Sequence, residues 1–145
     1  KIAEIRRERR RYQLQWRSTG DSARGSYDEH DTEVVMNQLC TKSCVPCEGG
    51  IPALTLQEAT ELHRQVPEWV ISEDGKQIRR EYAFKDYYRT MAFVNAVAWM
   101  AHREDHHPDL LVRWGKCEVR YWTHAIDGLS ENDFICAAKV DQLLE

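Results

Sequence analysis

Between about residues 48 and 143 the apolar positions change four times between a helical step of three or four and a strand alternation of two. Thr55-Leu56-Gln57-Glu58 reads as a capping box, with Thr at the N-cap and Glu at N3. The helix it opens runs to about Gln65 and is stopped by Pro67. Glu68 to Ser72 reads as a strand, Asp74-Gly75 as a two-residue hairpin turn, and Lys76 to Phe84 as the partner strand, with Ile78 and Tyr82 on one face. A second helix is expected from about Asp86 to about Asp105. Its core-facing stripe is Tyr87, Met91, Val94, Ala98 and Ala101, widened by Phe93, Val97 and Met100. Pro108 cannot sit in a continuing helix and biases His107 toward extended geometry. Leu110 to Trp114, a turn at Gly115-Lys116, and Cys117 to His124 read as a second hairpin. On its last strand Val119 and Tyr121 share one face, while Arg120, Trp122 and His124 share the other. Ser130 to Asp133 then caps a final helix carrying Phe134, Ile135, Ala138, Val140 and Leu143.

The resulting order is α-β-β-α-β-β-α. Hairpins imply antiparallel pairing, and three amphipathic helices are enough to cover one side of a sheet. The expected fold is therefore α+β, a two-layer sandwich of a four-stranded antiparallel sheet with three helices on one face. Residues 40–145 form this domain. Residues 1–39 read as a polar, basic extension, Arg-rich to Arg17 and acidic-leaning from Asp21 to Glu33, with no stripe wide enough to dock. Such a segment is expected to be solvated and part helical or disordered; a targeting remnant or a partner-binding arm is the sharper alternative.

Composition adds exclusions. A chain of 145 residues fits one domain plus a tail, and 42% hydrophobic residues with five Trp, six Tyr and three Phe make a packed core feasible. A net charge of −4 gives no reason to expect direct nucleic-acid binding. No apolar run approaches the roughly 18 residues a membrane span requires, and no signal-peptide pattern opens the sequence. An odd count of five cysteines argues for a reducing compartment, so the expected location is cytoplasmic, with nuclear or organellar placement open. Cys44-Val45-Pro46-Cys47 could be half of a zinc site or a redox pair. With no second such pair nearby, a plain loop is the economical reading.

The candidate chemistry lies in Asp105-His106-His107-Pro108 and in His124. Histidine titrates near neutral pH. His106 and His107 fall at a helix C-terminus, whose partial negative charge suits a proton donor. His124, at a predicted strand end, can approach the turn at His107-Pro108. His102 lies four residues before His106, on the same helical face if the helix continues that far.

After His106-His107-Pro108, five residues lead to Trp114, nine more to His124 and eight more to Asp133. With Trp69, Phe93-Val94-Asn95 and Gly128-Leu129-Ser130, this pattern resembles the signature of the pterin-4a-carbinolamine dehydratases over roughly residues 48 to 143. The resemblance implies removal of water from 4a-hydroxytetrahydropterin (pterin-4a-carbinolamine) to give quinonoid dihydropterin, the step that recycles the tetrahydrobiopterin cofactor of aromatic amino acid hydroxylases. It implies no metal or redox cofactor. By the same resemblance His106, His107 and His124 are catalytic, with His106 and His124 as acid and base and His107 orienting. Asp105, Trp122, Thr123 and Ala125 join the histidines as substrate-contact positions. Many members of the family have a glutamate where this chain has His102, which makes His102 a supporting residue of altered charge.

Competing readings remain open at this level. A zinc site from His102, His106 and His124 has one metal-friendly spacing but lacks the glutamate that a zincin carries directly after its first histidine. Asp133 is most economically the N3 residue of a capping box, a supporting role. Trp114 and Trp122 are either substrate surfaces or ordinary sheet aromatics. The alternative function is a non-catalytic interaction module, since some members of the family also act as dimerisation cofactors of homeodomain transcription factors. The wide apolar stripe of the second helix predicts a homodimer or homotetramer with active sites formed mainly within each chain.

Overall fold

The computed structural model describes residues 38–46 and 52–144. Helix α1 (Leu56–His63) starts at the expected capping box: Thr55 accepts from the Glu58 N–H, and the Glu58 carboxylate accepts the Thr55 N–H at 2.8 Å. Strands β1 (Val70–Ile71) and β2 (Ile78–Ala83) are followed by helix α2 (Tyr87–Glu104). Strands β3 (Asp109–Arg113) and β4 (Lys116–Tyr121), a 3-10 turn at His124–Ile126 and helix α3 (Glu131–Gln142) follow. The four strands form one antiparallel sheet in the order β1-β2-β4-β3.

The expected fold class holds. Ile78, Tyr82, Cys117, Val119 and Tyr121 are buried on the helix-covered face of the sheet. They meet Phe93 and Val97 from α2 and Phe134, Ile135 and Val140 from α3. Aromatic rings link the layers, with Tyr82 4.7 Å from Phe93 and Trp69 5.9 Å from Tyr121 between centroids. Each such side chain buries enough apolar surface to stabilise the fold by roughly 2–3 kcal/mol. The opposite face carries ion pairs such as Lys116–Glu81 and Arg120–Glu118.

Several boundaries differ from expectation. The first hairpin has no two-residue turn: Ile71 pairs with Ile78, and the Ser72 N–H bonds to the Gln77 carbonyl around a four-residue loop. Asp74 accepts from Ser72 and from the Lys76 N–H, and Gly75 takes the left-handed conformation (φ 71°), so the Asp-Gly pair serves a longer turn. The second hairpin turns at Trp114-Gly115 rather than Gly115-Lys116, and β4 ends at Tyr121, which leaves His124 in the 3-10 turn. The face of α2 is also corrected. Its buried residues are Thr90, Phe93, Val97 and Ala101, whereas Tyr87 and Ala98 are exposed and Met91 and Val94 are partly buried. Thr90 joins the core because its hydroxyl bonds to the carbonyls of Asp86 and Trp114, so a polar residue completes the inner stripe.

Leu39, on the N-terminal side of the expected boundary at residue 40, is fully buried in the core, and residues 38–41 are helical. The rest of the basic extension, and Cys47 of the CxxC, lie outside the described residues. Among the described residues no helix is long and apolar enough to cross a membrane.

Candidate active site

Helix α2 ends where Asp105 turns left-handed (φ 50°), and the His106 N–H bonds back to the Ala101 carbonyl at 3.2 Å. Aspartate is one of the few residues other than glycine that visits this conformation readily. The turn takes His106 off the helix. The expected pairing of His102 and His106 on one helical face is therefore corrected: His102 is exposed with its ring 6.2 Å from Trp99, while His106 points into the protein.

There His106 meets Asp133. Its Nε2 lies 2.7 Å from Asp133 Oδ1; the imidazole is 9% exposed and the aspartate not at all. The ring also stacks on Tyr121, with centroids 5.6 Å apart and planes 11° apart. The other carboxylate oxygen, Oδ2, accepts from the Ser130 N–H at 2.7 Å, from Thr123 Oγ1 at 2.9 Å and from Ser130 Oγ at 3.2 Å. Asp133 is thus the N3 residue of the expected capping box and also the junction between the end of α2, the end of β4 and the start of α3. A buried carboxylate needs this many donors to offset its desolvation.

The cage brings the segments of the predicted site together. His107 and Asp105 are exposed on either side of His106, and Trp122 and His124 flank the buried Thr123. Asp109, which pairs with Arg120 in the sheet, accepts from Trp122 Nε1 at 3.3 Å and links the His107-Pro108 turn to the end of β4. The Trp122 and His124 rings meet edge to face with centroids 4.0 Å apart. Ala125 is exposed beside them. The Thr123 hydroxyl is engaged by Asp133 and Ser130, and the Thr123 N–H by the Gly128 carbonyl at 2.8 Å. Gly128 is required for this closure, because a Cβ there would lie 2.6 Å from that of Ala53. Trp114 is 68% exposed at the opposite end of the second hairpin.

The carboxylate accepts, so a neutral His106 carries its proton on Nε2 and leaves Nδ1 as a proton acceptor. An imidazole held by a buried carboxylate, followed in sequence by exposed His107 and tied through Asp133 and Thr123 to the Trp122–His124 pair, is equipped to exchange protons with a bound ligand. The residue spacing includes both the histidines and Asp133, but it does not show the Asp133–His106 bond, because an N3 aspartate has an ordinary capping explanation. Among the described residues no three His, Cys, Asp or Glu side chains converge as metal ligands.

Comparison with known proteins places this geometry in context. Residues 52–143 match the family described as "Pterin 4 alpha carbinolamine dehydratase". A Nitrosospira multiformis protein named "Putative pterin-4-alpha-carbinolamine dehydratase" is 58% identical over 113 residues, covering 78% of this chain and 98% of its own. One of the same name from Dechloromonas aromatica is 52% identical over 107 residues, covering 74% and 94% respectively. Among solved structures, a Brucella melitensis protein described as a transcriptional coactivator/pterin dehydratase superposes with a TM-score of 0.61 at 28% identity. That match covers 64% of this chain and 99% of the other.

Proposed function

The chain belongs to the pterin-4α-carbinolamine dehydratase family, and on that premise we propose that it converts 4a-hydroxytetrahydropterin to quinonoid dihydropterin and water. The observation that carries this reading is the buried Asp133–His106 bond beside exposed His107 and the Trp122–His124 pair. In the proposed reaction the C4a–O bond breaks as the hydroxyl takes a proton and leaves as water, while N5 loses its proton and its electron pair forms the new double bond to C4a. His106, held by Asp133, takes the N5 proton on Nδ1. His124 donates to the leaving hydroxyl, and the Trp122 face supports the ring system. His107 and Asp105 orient the substrate. Such a step serves tetrahydrobiopterin recycling wherever a pterin-dependent hydroxylase operates.

Rates of dehydration by purified variants test the assignment. His106→Ala and His124→Ala are expected to lower kcat by about 10²–10⁴-fold, because an acid/base group acts in the transition state. His107→Ala is expected to raise KM with a smaller change in kcat, because an orienting group binds ground and transition states alike. Wild-type kinetics in all three variants would falsify the site.

A second reading draws on α2, where Tyr88 is 82% and Trp99 65% exposed. We propose that this face joins copies of the chain into a homodimer or dimer of dimers, each active site remaining within one chain. The same face is the candidate surface for a transcription-factor partner if the chain is an interaction module. Light scattering on wild type and Trp99→Glu separates the cases: assembly lost in the variant supports self-association, and a monomeric wild type contradicts it.

A further inference from the structure

The segment 42–46 crosses the ends of two helices as a strap, and the proposed dehydration uses none of its groups. The Val45 N–H donates to Asn132 Oδ1 at 3.1 Å, and Asn132 Nδ2 donates to the Val45 carbonyl at 2.7 Å. The Cys44 N–H donates to Glu104 at 3.1 Å, and Glu104 is paired with Lys139 at 2.5 Å. Lys42 pairs with Glu131 on the far side. These contacts leave the Cys44 sulfur 3.5 Å from that of Cys136, a fully buried residue of α3 one turn beyond Asp133. Both cysteines carry free thiols.

We propose that Cys44 and Cys136 form a redox-active pair that closes to a disulfide when Cys44 meets hydrogen peroxide. Two features favour this pair over a packing coincidence. The sulfurs need to approach by only about 1.5 Å to reach bonding distance, and the strap's hydrogen bonds hold Cys44 over α3 while they do so. Accessibility is also asymmetric: Cys44 is partly exposed and Cys136 buried, the arrangement of an attacked thiol with a protected resolving partner. In the first step the Cys44 thiolate attacks one peroxide oxygen and the O–O bond breaks, which gives a sulfenic acid and hydroxide. In the second the Cys136 sulfur attacks the Cys44 sulfur, its proton and the sulfenic hydroxyl leaving as water. Two thiols are oxidised and one peroxide is reduced to two waters.

The closed form fastens the strap covalently to the helix that presents Asp133. Tyr121 lies between the two sites. Its ring stacks on His106, its buried hydroxyl has no partner among the described residues, and burial, then Cys136 and Cys44, hold its pKa above the ordinary tyrosine range.

The test treats the reduced full chain with hydrogen peroxide, then maps disulfides in non-reduced peptides and measures Tm. The expected result is a Cys44–Cys136 cross-link that dithiothreitol reverses and a Tm raised by at least about 5 °C, because the bridge closes a long loop. Cys44→Ser abolishes both changes, and Cys47→Ser keeps them. Mapping of the wild type makes the outcome independent of whether Cys136→Ser folds. A Cys44–Cys47 bridge, or a Cys44 oxidised past sulfenic acid beside an unreacted Cys136 thiol, overturns the proposal.

Discussion

Helix α3 presents a multiply bonded carboxylate at each end, and only one belongs to the candidate active site. Asp133, in the first turn, is fully buried and collects His106, Thr123 and Ser130. Asp141, in the last turn, is 22% exposed and collects Trp69 Nε1 at 3.1 Å, the Tyr82 hydroxyl at 2.5 Å and Arg80 at 2.9 Å. The helix macrodipole favours an anion at the first position and opposes one at the second, where the Arg80 charge compensates. Burial and then the bond to Asp141 push the Tyr82 hydroxyl above the ordinary tyrosine range, so it remains a neutral donor. The donors at Asp141 are core aromatics and one cation. At Asp133 one donor is an imidazole with a second nitrogen, next to exposed histidines. Convergent hydrogen bonds on a carboxylate therefore do not define a site; the proton-carrying group that one of them orients does.

Asp133→Asn tests that distinction with the largest expected effect. The amide leaves His106 without a charged acceptor and presents a donor to part of a shell built of donors. Activity is expected to fall roughly tenfold to a hundredfold, and stability by about 2–4 kcal/mol. Kinetics and urea unfolding of the same preparation measure both, and a wild-type kcat in the Asp133→Asn variant would reduce Asp133 to a cap. Asp141→Asn is expected to cost about 1–3 kcal/mol of stability with kcat and KM unchanged. A kinetic defect there, in folded protein, would erase the contrast between the two ends.

A smaller effect comes from the strap. Burial opposes ionisation of Glu104, but the Lys139 ammonium and the Cys44 N–H outweigh it and hold its pKa below the usual carboxylate range. A carboxyl depressed in the folded state stabilises it above the unfolded pKa, about 4.3 for glutamate, and that contribution is lost as pH falls through the folded value. Protease sensitivity of residues 42–46 is therefore expected to rise as pH falls from about 6 to about 3. Glu104→Gln should show the raised sensitivity already at neutral pH. A wild-type strap equally protected across that range would remove Glu104 as its anchor.

Local signals were legible and long-range ones were not. The capping boxes at Thr55 and Ser130 and the limits of α2 at Asp86 and Asp105 depend on neighbouring residues, and the structure has them where the pattern placed them. The inner face of α2 is not legible in the pattern because two apolar stripes of similar length compete on that helix, and Thr90 completes the buried one through a bond to the distant Trp114 carbonyl. The turn positions moved by one or two residues because side-chain bonds from Asp74 and the Phe84–Gly115 backbone pairing set the register. The histidines were visible as a spacing. Their division into one buried and two exposed rings was not, since it follows from a left-handed Asp105 and a carboxylate 27 residues away.

The central claim is that the Asp133 corner is a dehydratase site working through its own side chains. The most direct measurement is the dehydration rate of 4a-hydroxytetrahydropterin with chelator-treated full chain, compared with the spontaneous reaction. The account predicts a rate well above the spontaneous one that added zinc does not raise. A rate equal to the spontaneous one, or activity that appears only with added metal, would contradict it.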